Sequence, residues 1–226
     1  MALRLEKGQR IGIGLNRVCV GLGWDPNEGS SKHPFDLDAS AFMLDANRRT
    51  PKEDFVVFYN SERRVLPPHL LKLEPYDLSK YSSFDRTQFK DSEEYYRKMT
   101  RGVSPDWSVY GAIDDDTGSA SDGDDDEVID VDLTKVDPVI QEIIITATIY
   151  DCEIRNQNFG QVRNSYIRIL NADSREEICK YDLAEDFSAE TAIEFGRLYR
   201  RDGAWKFEAM GIGYKGGLQC LVNKYT

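Results

Sequence analysis

EIIITATIY, residues 142–150, carries six β-branched side chains in nine positions. Such a run is typical of a buried β-strand. On both sides of it, apolar residues alternate with polar ones along residues 3–24, 35–45 and 159–170, which is the period of half-buried strands. Asp202–Gly203 separates two further apolar runs and predicts a hairpin turn. The sequence therefore predicts a mostly β protein, a β-sandwich of two antiparallel sheets with few short helices.

The remaining segments complete this prediction. Residues 54–60, DFVVFYN, are apolar enough to be expected as a central strand. Residues 190–201 fit a helix by composition, but their apolar spacing fits a strand, whereas the apolar residues of 218–225 have helical spacing and predict a C-terminal helix. Residues 61–103, rich in Pro and charge, are interpreted as a surface insertion with a short helix beginning at Ser92. We expect one domain over residues 1–226.

Composition restricts the class of protein. The net charge of −11 excludes a nucleic-acid-binding surface of the usual basic kind. The N-terminus lacks an apolar signal core and no apolar stretch is long enough for a membrane span, so we expect a soluble, cytoplasmic protein without direct membrane insertion. The four cysteines form no CxxC pair, which predicts reduced thiols rather than a zinc or redox site.

Residues 114–132, DDDTGSASDGDDDEVIDVD, contain ten acidic residues in nineteen and no Lys or Arg. Two carboxylates about 4 Å apart repel by roughly 4 kcal/mol at an effective dielectric near 20. The stretch is therefore either a solvated loop or a cation site. Oxygen ligands without His or Cys favour calcium first and magnesium second. The spacing does not match an EF-hand, because Gly and Glu are missing at the required positions.

Several longer motifs carry a resemblance to a known family. They are GLGWD at 21–25, FDLDASAF at 35–42, DFVVFYN at 54–60, GDDDEVIDVDL at 123–133, FGQVRNSYIRI at 159–169, YDLAEDFSAETAIEFGRLYR at 181–200 and GAWKFEAMGIGYKGGL at 203–218. Together they resemble the TerD-domain family of tellurium-resistance and stress-response proteins, in order and over nearly the whole chain. The resemblance implies a single β-sandwich that binds calcium through acidic loops.

The resemblance and the charge argument together give ten candidate calcium ligands. The resemblance implies those of the GLGWD loop, the FDLD strand and the end of the acidic loop: Asp25, Asp36, Asp38, Asp125, Asp126 and Glu127. The acidic density adds four more: Asp114, Asp116, Asp122 and Asp124. Because these carboxylates outnumber the ligands of one site, we expect two or more Ca²⁺ ions. The chain departs from the family pattern in its 61–103 insertion and in a more acidic loop, which leaves the exact ligand set open.

Three functions follow from these residues. The first is a non-enzymatic calcium-binding module that orders an interaction surface for other proteins of a stress-resistance complex, including one assembled at the membrane. The alternative is a metal-dependent hydrolase or nucleotide-binding protein using the same Asp cluster, with Ser40 or the Glu190–Thr191 pair as reactive groups. The third is direct thiol chemistry on tellurite, which requires low-pKa cysteines that the sequence does not predict.

Overall fold

The computed structural model describes residues 2–25, 33–66, 100–113, 125–183 and 187–226. The strands are β1 (Leu3–Arg4), β2 (Arg10–Ile13), β3 (Arg17–Asp25), β4 (Leu37–Leu44), β5 (Val56–Val57), β6 (Arg64–Val65), β7 (Arg101–Gly102), β8 (Val109–Tyr110), β9 (Glu127–Asp132), β10 (Glu142–Ile149), β11 (Arg163–Asn171), β12 (Glu177–Asp182), β13 (Ala192–Arg201) and β14 (Ala204–Tyr214). The helices are α1 (Cys152–Arg155) and α2 (Gly217–Tyr225), with 3₁₀ turns at Glu53–Phe55 and Phe159–Gln161.

Two six-stranded sheets pack face to face, which confirms the predicted β-sandwich. The first sheet has the order β1-β12-β11-β3-β9-β8 and the second the order β2-β14-β13-β10-β4-β5. All neighbours in both sheets are antiparallel except β1, which pairs with β12 in parallel. Within the described residues, no helix combines the length and apolar character needed to cross a membrane.

The predicted alternation places one set of side chains in the core between the sheets. In β4, for example, Leu37, Ala39, Ala41 and Met43 all belong to that core. The opposite face of the same strand is buried as well, because α2 lies over the outer side of the second sheet. There Leu221 and Tyr225 of the helix pack in one cluster with Phe42 of β4. The predicted C-terminal helix is thus confirmed, and it gives the second sheet two buried faces.

An ion pair between a half-exposed lysine and a buried glutamate fastens this helix to the sheet. Glu194 of β13 is fully buried, and its Oε1 accepts hydrogen bonds from Lys224 Nζ and the Tyr225 hydroxyl, each at 2.6 Å. Lys224 also donates to the Tyr214 hydroxyl at 2.5 Å. The second oxygen of Glu194 is buried and has no hydrogen-bond partner among the described residues. The charge of Glu194 is therefore balanced mainly by the helix.

Most of the other sequence expectations are confirmed, and one is wrong. Residues 190–201 form β13 rather than a helix, and Asp202 and Gly203 adopt positive φ angles of 55° and 76° in the predicted hairpin turn. The segment 54–60 is not a central strand: only Val56 and Val57 pair, at the edge of the second sheet. Its apolar character arises because Val57 faces the main core while Val56 packs beneath α2.

The insertion is described only at its two ends. β6 and β7 pair at Arg64 with Gly102 and at Val65 with Arg101, so the described strands on either side of the insertion are antiparallel neighbours. The helix expected from Ser92 lies outside the described residues. The single-domain organisation with an insertion at 61–103 stays a prediction.

Candidate functional site

Three acidic segments meet at one end of the sandwich. β3 ends at Asp25, β9 begins at Glu127, and these two strands are antiparallel neighbours. β4 of the opposite sheet begins at the same end, because the Ala39 N–H donates to Glu127. The segments 26–32 and 114–124 join the described chain at this end. We refer to it as the acidic end.

Glu127 links the two sheets at the acidic end. Its side chain lies between them, and the residue is only 3% exposed. Oε2 accepts the hydrogen bond from the Ala39 N–H of β4. Along the described chain, β5 pairs with β4 only at Ala41 and Phe42, so this stretch of β4 has no outer strand neighbour. A carboxylate here satisfies a main-chain donor at an open sheet edge.

Asp38 precedes this hydrogen-bonded residue in β4. It stands opposite Thr148 of β10 and is 4% exposed. A carboxylate so removed from water requires charge or hydrogen-bond compensation. The family resemblance implies a ligand role for Asp38. Asp38 precedes Ala39, the residue whose N–H donates to Glu127. The two acids are 89 positions apart in the sequence, and the packing of the two sheets leaves them at the same end of the sandwich but on opposite faces of β4, because Ala39 faces the core and Asp38 faces α2.

Asp25 and Asp126 are two further carboxylates at the acidic end. Asp126 Oδ2 accepts a hydrogen bond from the Trp24 N–H at 2.8 Å. Asp25 is half-buried, and its Oδ2 accepts from Asn164 Nδ2 of β11 at 2.6 Å. Both carboxylates are thus oriented by protein donors.

Asp36 is neutralised by a neighbouring helix. Its Oδ2 forms an ion pair with Arg155 of α1 at 3.1 Å, and both side chains are largely buried. The same guanidinium lies 5.1 Å from the centre of the Tyr150 ring. The Asp36 carboxylate is therefore already paired with a cationic side chain of α1.

Asp125 occupies a different place from Glu127. Its side chain is 2% exposed and lies on the outer face of the first sheet. Oδ1 accepts from Arg168 Nε at 2.7 Å and from the Tyr166 hydroxyl at 3.1 Å. Burial raises the pKa of the Asp125 carboxyl, and the hydrogen bonds from Arg168 and Tyr166 offset part of that effect. Burial and the nearby Asp125 charge likewise raise the pKa of the Tyr166 hydroxyl.

A glycine makes room for this buried carboxylate. A Cβ added at Gly21 would lie closer than 3.0 Å to the Asp125 carboxylate atoms. Gly23, two residues on, similarly leaves space for the Tyr166 ring. The sequence analysis missed Arg168, Tyr166 and this role of the glycines. The G-x-G spacing within GLGWD was the available signal, because alternate glycines on a strand open one face of it.

The structure thus locates six of the ten predicted ligands. Asp114, Asp116, Asp122 and Asp124 lie outside the described residues. Among the described ones, Asp25, Asp126 and Glu127 lie at the acidic end, Asp38 lies at the start of β4 on the outer face of the second sheet, and Asp36 and Asp125 are held in ion pairs. In the described part of the chain, no three His, Cys, Asp or Glu side chains are arranged to hold a metal ion by themselves. The ligand set stays a prediction.

Comparisons with known proteins agree with the motifs. The family model described as TerD domain matches residues 1–66 and 88–225. General stress protein 16U of Bacillus subtilis (strain 168) is 39% identical over 230 residues, covering 100% of this chain and 97% of that protein. Tellurium resistance protein TerD of Alcaligenes sp is 36% identical over 230 residues, with the same two coverages.

A solved structure supports the fold. The crystal structure of a homologue of the telluride resistance protein TerD from Streptomyces coelicolor A3(2) superimposes with a TM-score of 0.60 at 20% identity. The match covers 92% of this chain and 96% of that one. At this identity the likeness concerns the architecture alone.

Proposed function

The chain belongs to the TerD-domain family, whose members include proteins named for tellurium resistance and general stress, and from this membership we propose that it is a non-enzymatic, calcium-binding stress-response module. One observation carries the proposal: acids from β3, β4 and β9 gather at the end of the sandwich to which the segment 114–124 attaches. The bound ions would order that end as an interaction surface for other proteins of a stress-resistance complex.

The acidic end has an electrostatic reason to bind a cation. Asp38 and Glu127 are both less than 5% exposed and lie near the same β4 main-chain segment. Burial weakens the screening of each carboxylate's charge by water, and a divalent cation bound beside either of them would offset that charge. The local donors are oxygens, which calcium prefers in sets of about six to eight. The described acids fall short of such a set, so the proposal takes the remaining ligands from Asp114, Asp116, Asp122 and Asp124.

Calcium would act on this protein by linkage. An ion that binds only the folded state stabilises it by about 2.7 kcal/mol at a free concentration of 100 times its dissociation constant. The described acids belong to or adjoin strands that the sheets already fix. A partner protein would then meet an acidic end whose shape depends on calcium.

The alternative of a metal-dependent hydrolase has weaker support in the geometry. Ser40, which the sequence analysis considers as a nucleophile beside Asp38, is fully buried. Thr191 Oγ1 accepts hydrogen bonds from the main-chain N–H groups of Gly216 and Gly217, at 3.1 and 3.0 Å, at the start of α2. The Ser40 hydroxyl is therefore closed off from a substrate, and the Thr191 hydroxyl is engaged at the start of α2.

The test is a calorimetric titration of chelator-stripped protein with Ca²⁺ and then Mg²⁺. The informative variant is Asp126→Asn with Glu127→Gln, because each amide oxygen can still accept the main-chain hydrogen bond while the charge is lost. A matched control, Asp202→Asn with Glu176→Gln, removes the same two charges from exposed turns at the other end of the sandwich.

We expect saturable calcium binding that the Asp126/Glu127 variant weakens at least about tenfold, as loss of site charges requires, and that the control leaves within about twofold. Absence of calcium heat in the unmodified protein contradicts the proposal. Equal weakening in both variants would assign the effect to net charge and also contradict it.

A further inference from the structure

A row of buried polar side chains crosses the outer face of the second sheet beneath α2. Ser40 of β4 stands directly opposite Thr146 of β10, and Thr146 stands directly opposite Glu194 of β13. Residues paired in this way present their side chains to the same face of a sheet. Glu194 bonds to Lys224 and Tyr225, so this is the face that the helix covers. All three strand residues are 0% exposed. We refer to them as the polar row.

Two oxygen atoms of the polar row have no hydrogen-bond partner in the described chain. They are the hydroxyl oxygen of Ser40 and Oε2 of Glu194. Thr146, which lies between these two residues, makes only a long hydrogen bond, from its Oγ1 to the Ser40 carbonyl oxygen at 3.4 Å. A buried polar atom without a partner destabilises a fold, and such atoms are rare in native proteins. Two of them on either side of a third hydroxyl therefore point to one shared partner.

The helix above the row does not supply that partner. Its two polar groups that reach the sheet, Lys224 Nζ and the Tyr225 hydroxyl, both donate to Oε1 of Glu194. Leu221 of the same helix is apolar and 0% exposed, and it packs in one cluster with Phe42 of β4. Among the side chains that the structure describes, the donors of α2 are thus directed to one oxygen of the carboxylate, and its other oxygen is left to a bound molecule.

The charge of the row selects an uncharged ligand. Lys224 already neutralises Glu194 through their 2.6 Å contact. A second cation at Oε2 would lie near the Lys224 ammonium in a place shielded from water, and an anion would face the Glu194 charge. A neutral ligand avoids both repulsions. It must donate to Oε2, because a carboxylate oxygen only accepts hydrogen bonds.

The lengths of the side chains leave space for a small ligand only. Ser40 and Thr146 are short, so their hydroxyls lie close to the sheet, whereas the longer Glu194 side chain reaches the level of the helix. Strands lie about 4.8 Å apart, so the main chains of Ser40 and Glu194, two strands apart, are separated by roughly 10 Å. A buried water molecule typically forms about three hydrogen bonds, which is the number that the row offers.

We propose that the polar row binds one buried water molecule. The water donates to Oε2 of Glu194 and to Oγ1 of Thr146, and it accepts the hydrogen of the Ser40 hydroxyl. It thereby completes the hydrogen bonding of the carboxylate that fastens α2, so that the helix is attached through a hydrated contact as well as an ion pair. The site uses none of the proposed calcium ligands and does not depend on calcium.

The direct test is a crystal structure of the full chain, grown in chelator, at a resolution better than about 2 Å. We expect one water peak at about 2.7 to 3.2 Å from both Ser40 Oγ and Glu194 Oε2. An empty row overturns the proposal, as does a peak that contacts only one of these oxygens. A peak with the shorter contacts of about 2.3 to 2.6 Å that calcium makes would be a cation and would also overturn it.

A second test is the sign of the stability change in Ser40→Ala, measured by urea unfolding in chelator. If the hydroxyl holds a shared water, its loss should raise the equilibrium constant for unfolding about fivefold or more. If the hydroxyl is dry and unpaired, its removal should leave that constant unchanged or lower it, which would overturn the proposal. The control is Ser165→Ala, because Ser165 is a strand serine of β11, 4% exposed and outside the row. It should change the constant by less than about twofold.

Thr146→Val tests whether the two hydroxyls share one ligand, because valine keeps the branched shape and removes the hydroxyl. With a shared water, the double variant Ser40→Ala with Thr146→Val should unfold with a constant at least about twofold below the product of the two single effects. Effects that simply multiply would overturn the shared site. Both tests are made in chelator, so their failure leaves the proposed calcium binding untouched, and a protein that binds no calcium leaves the water site untouched.

Discussion

Gly21→Ala is the substitution whose effect follows most directly from the structure. The added methyl would lie closer than 3.0 Å to the Asp125 carboxylate, so that side chain must leave its position. It then loses the charge-assisted hydrogen bond from Arg168 at 2.7 Å and the bond from Tyr166 at 3.1 Å. These are worth about 2 and about 1 kcal/mol respectively. We expect the free energy of unfolding to fall by about 3 kcal/mol, at the lower bound for breaking a buried ion pair.

Urea unfolding followed by circular dichroism measures this change. Gly12→Ala is the control, because Gly12 also lies in a strand but has nothing within 4 Å of its added Cβ. It should leave stability unchanged or raise it slightly, since alanine has less backbone freedom to lose. The decisive comparison repeats Gly21→Ala in an Asp125→Ala background, where its effect should fall below about 1 kcal/mol. An effect that is small in the unmodified protein, or equally large in both backgrounds, refutes the reasoning.

Two further predictions concern buried groups. Lys224→Met leaves the fully buried Glu194 carboxylate without its cation and should lower the free energy of unfolding by about 3 kcal/mol in urea, with part recovered on adding Glu194→Gln. Undiminished stability of Lys224→Met would contradict this. Burial, reinforced for Cys19 by Asp130, raises the pKa of the Cys19 and Cys179 thiols to about 12. Both should label slowly with a disulfide reagent at pH 8. Because unfolded thiols ionise near pH 9, stability should fall as the pH rises from about 9 to 12. Rapid labelling of the native protein, at rates that match denatured protein, would show that these thiols are not buried.

Much of the fold could be predicted because sandwich strands carry their own period. The alternation in β4 correctly assigns its two faces, and the β-branched run of β10 correctly indicates burial. The segment 54–60 shows the limit of this reasoning. Val56 and Val57 are apolar because one faces the core and the other faces α2. A strand edge covered by a helix has the same local pattern as a central strand, and only the order of the sheet distinguishes them.

The site could be predicted in part. The family motifs name Asp38 and Glu127, which the fold places at the same end of the sandwich, but no local pattern gives the hydrogen bond between Ala39 and Glu127. This hydrogen bond forms because the Ala39 stretch of β4 has no strand beside it in the described chain, which in turn depends on how short β5 is. The ion pair of Asp125 with Arg168 depends in the same way on the register of β11 against β3. Residue types thus indicated the acidic end, and long-range pairing determined what each acid contacts.

The acids of this end serve the fold as well as any ion. Asp126 accepts a main-chain hydrogen bond from Trp24 of β3 in the first sheet, and Glu127 accepts one from Ala39 of β4 in the second sheet. Removing either side chain would leave a main-chain N–H without that acceptor, at a cost of about 1 to 3 kcal/mol for a buried group. Truncation to alanine would therefore lower stability whether or not calcium binds. Replacement by the amide keeps the acceptor and removes only the charge. Because main-chain donors hold the two acids in place, a cation would find them already positioned. If the amide variant loses calcium affinity but is as stable as the unmodified protein in the presence of chelator, the lost charge acts through the ion and not through the fold.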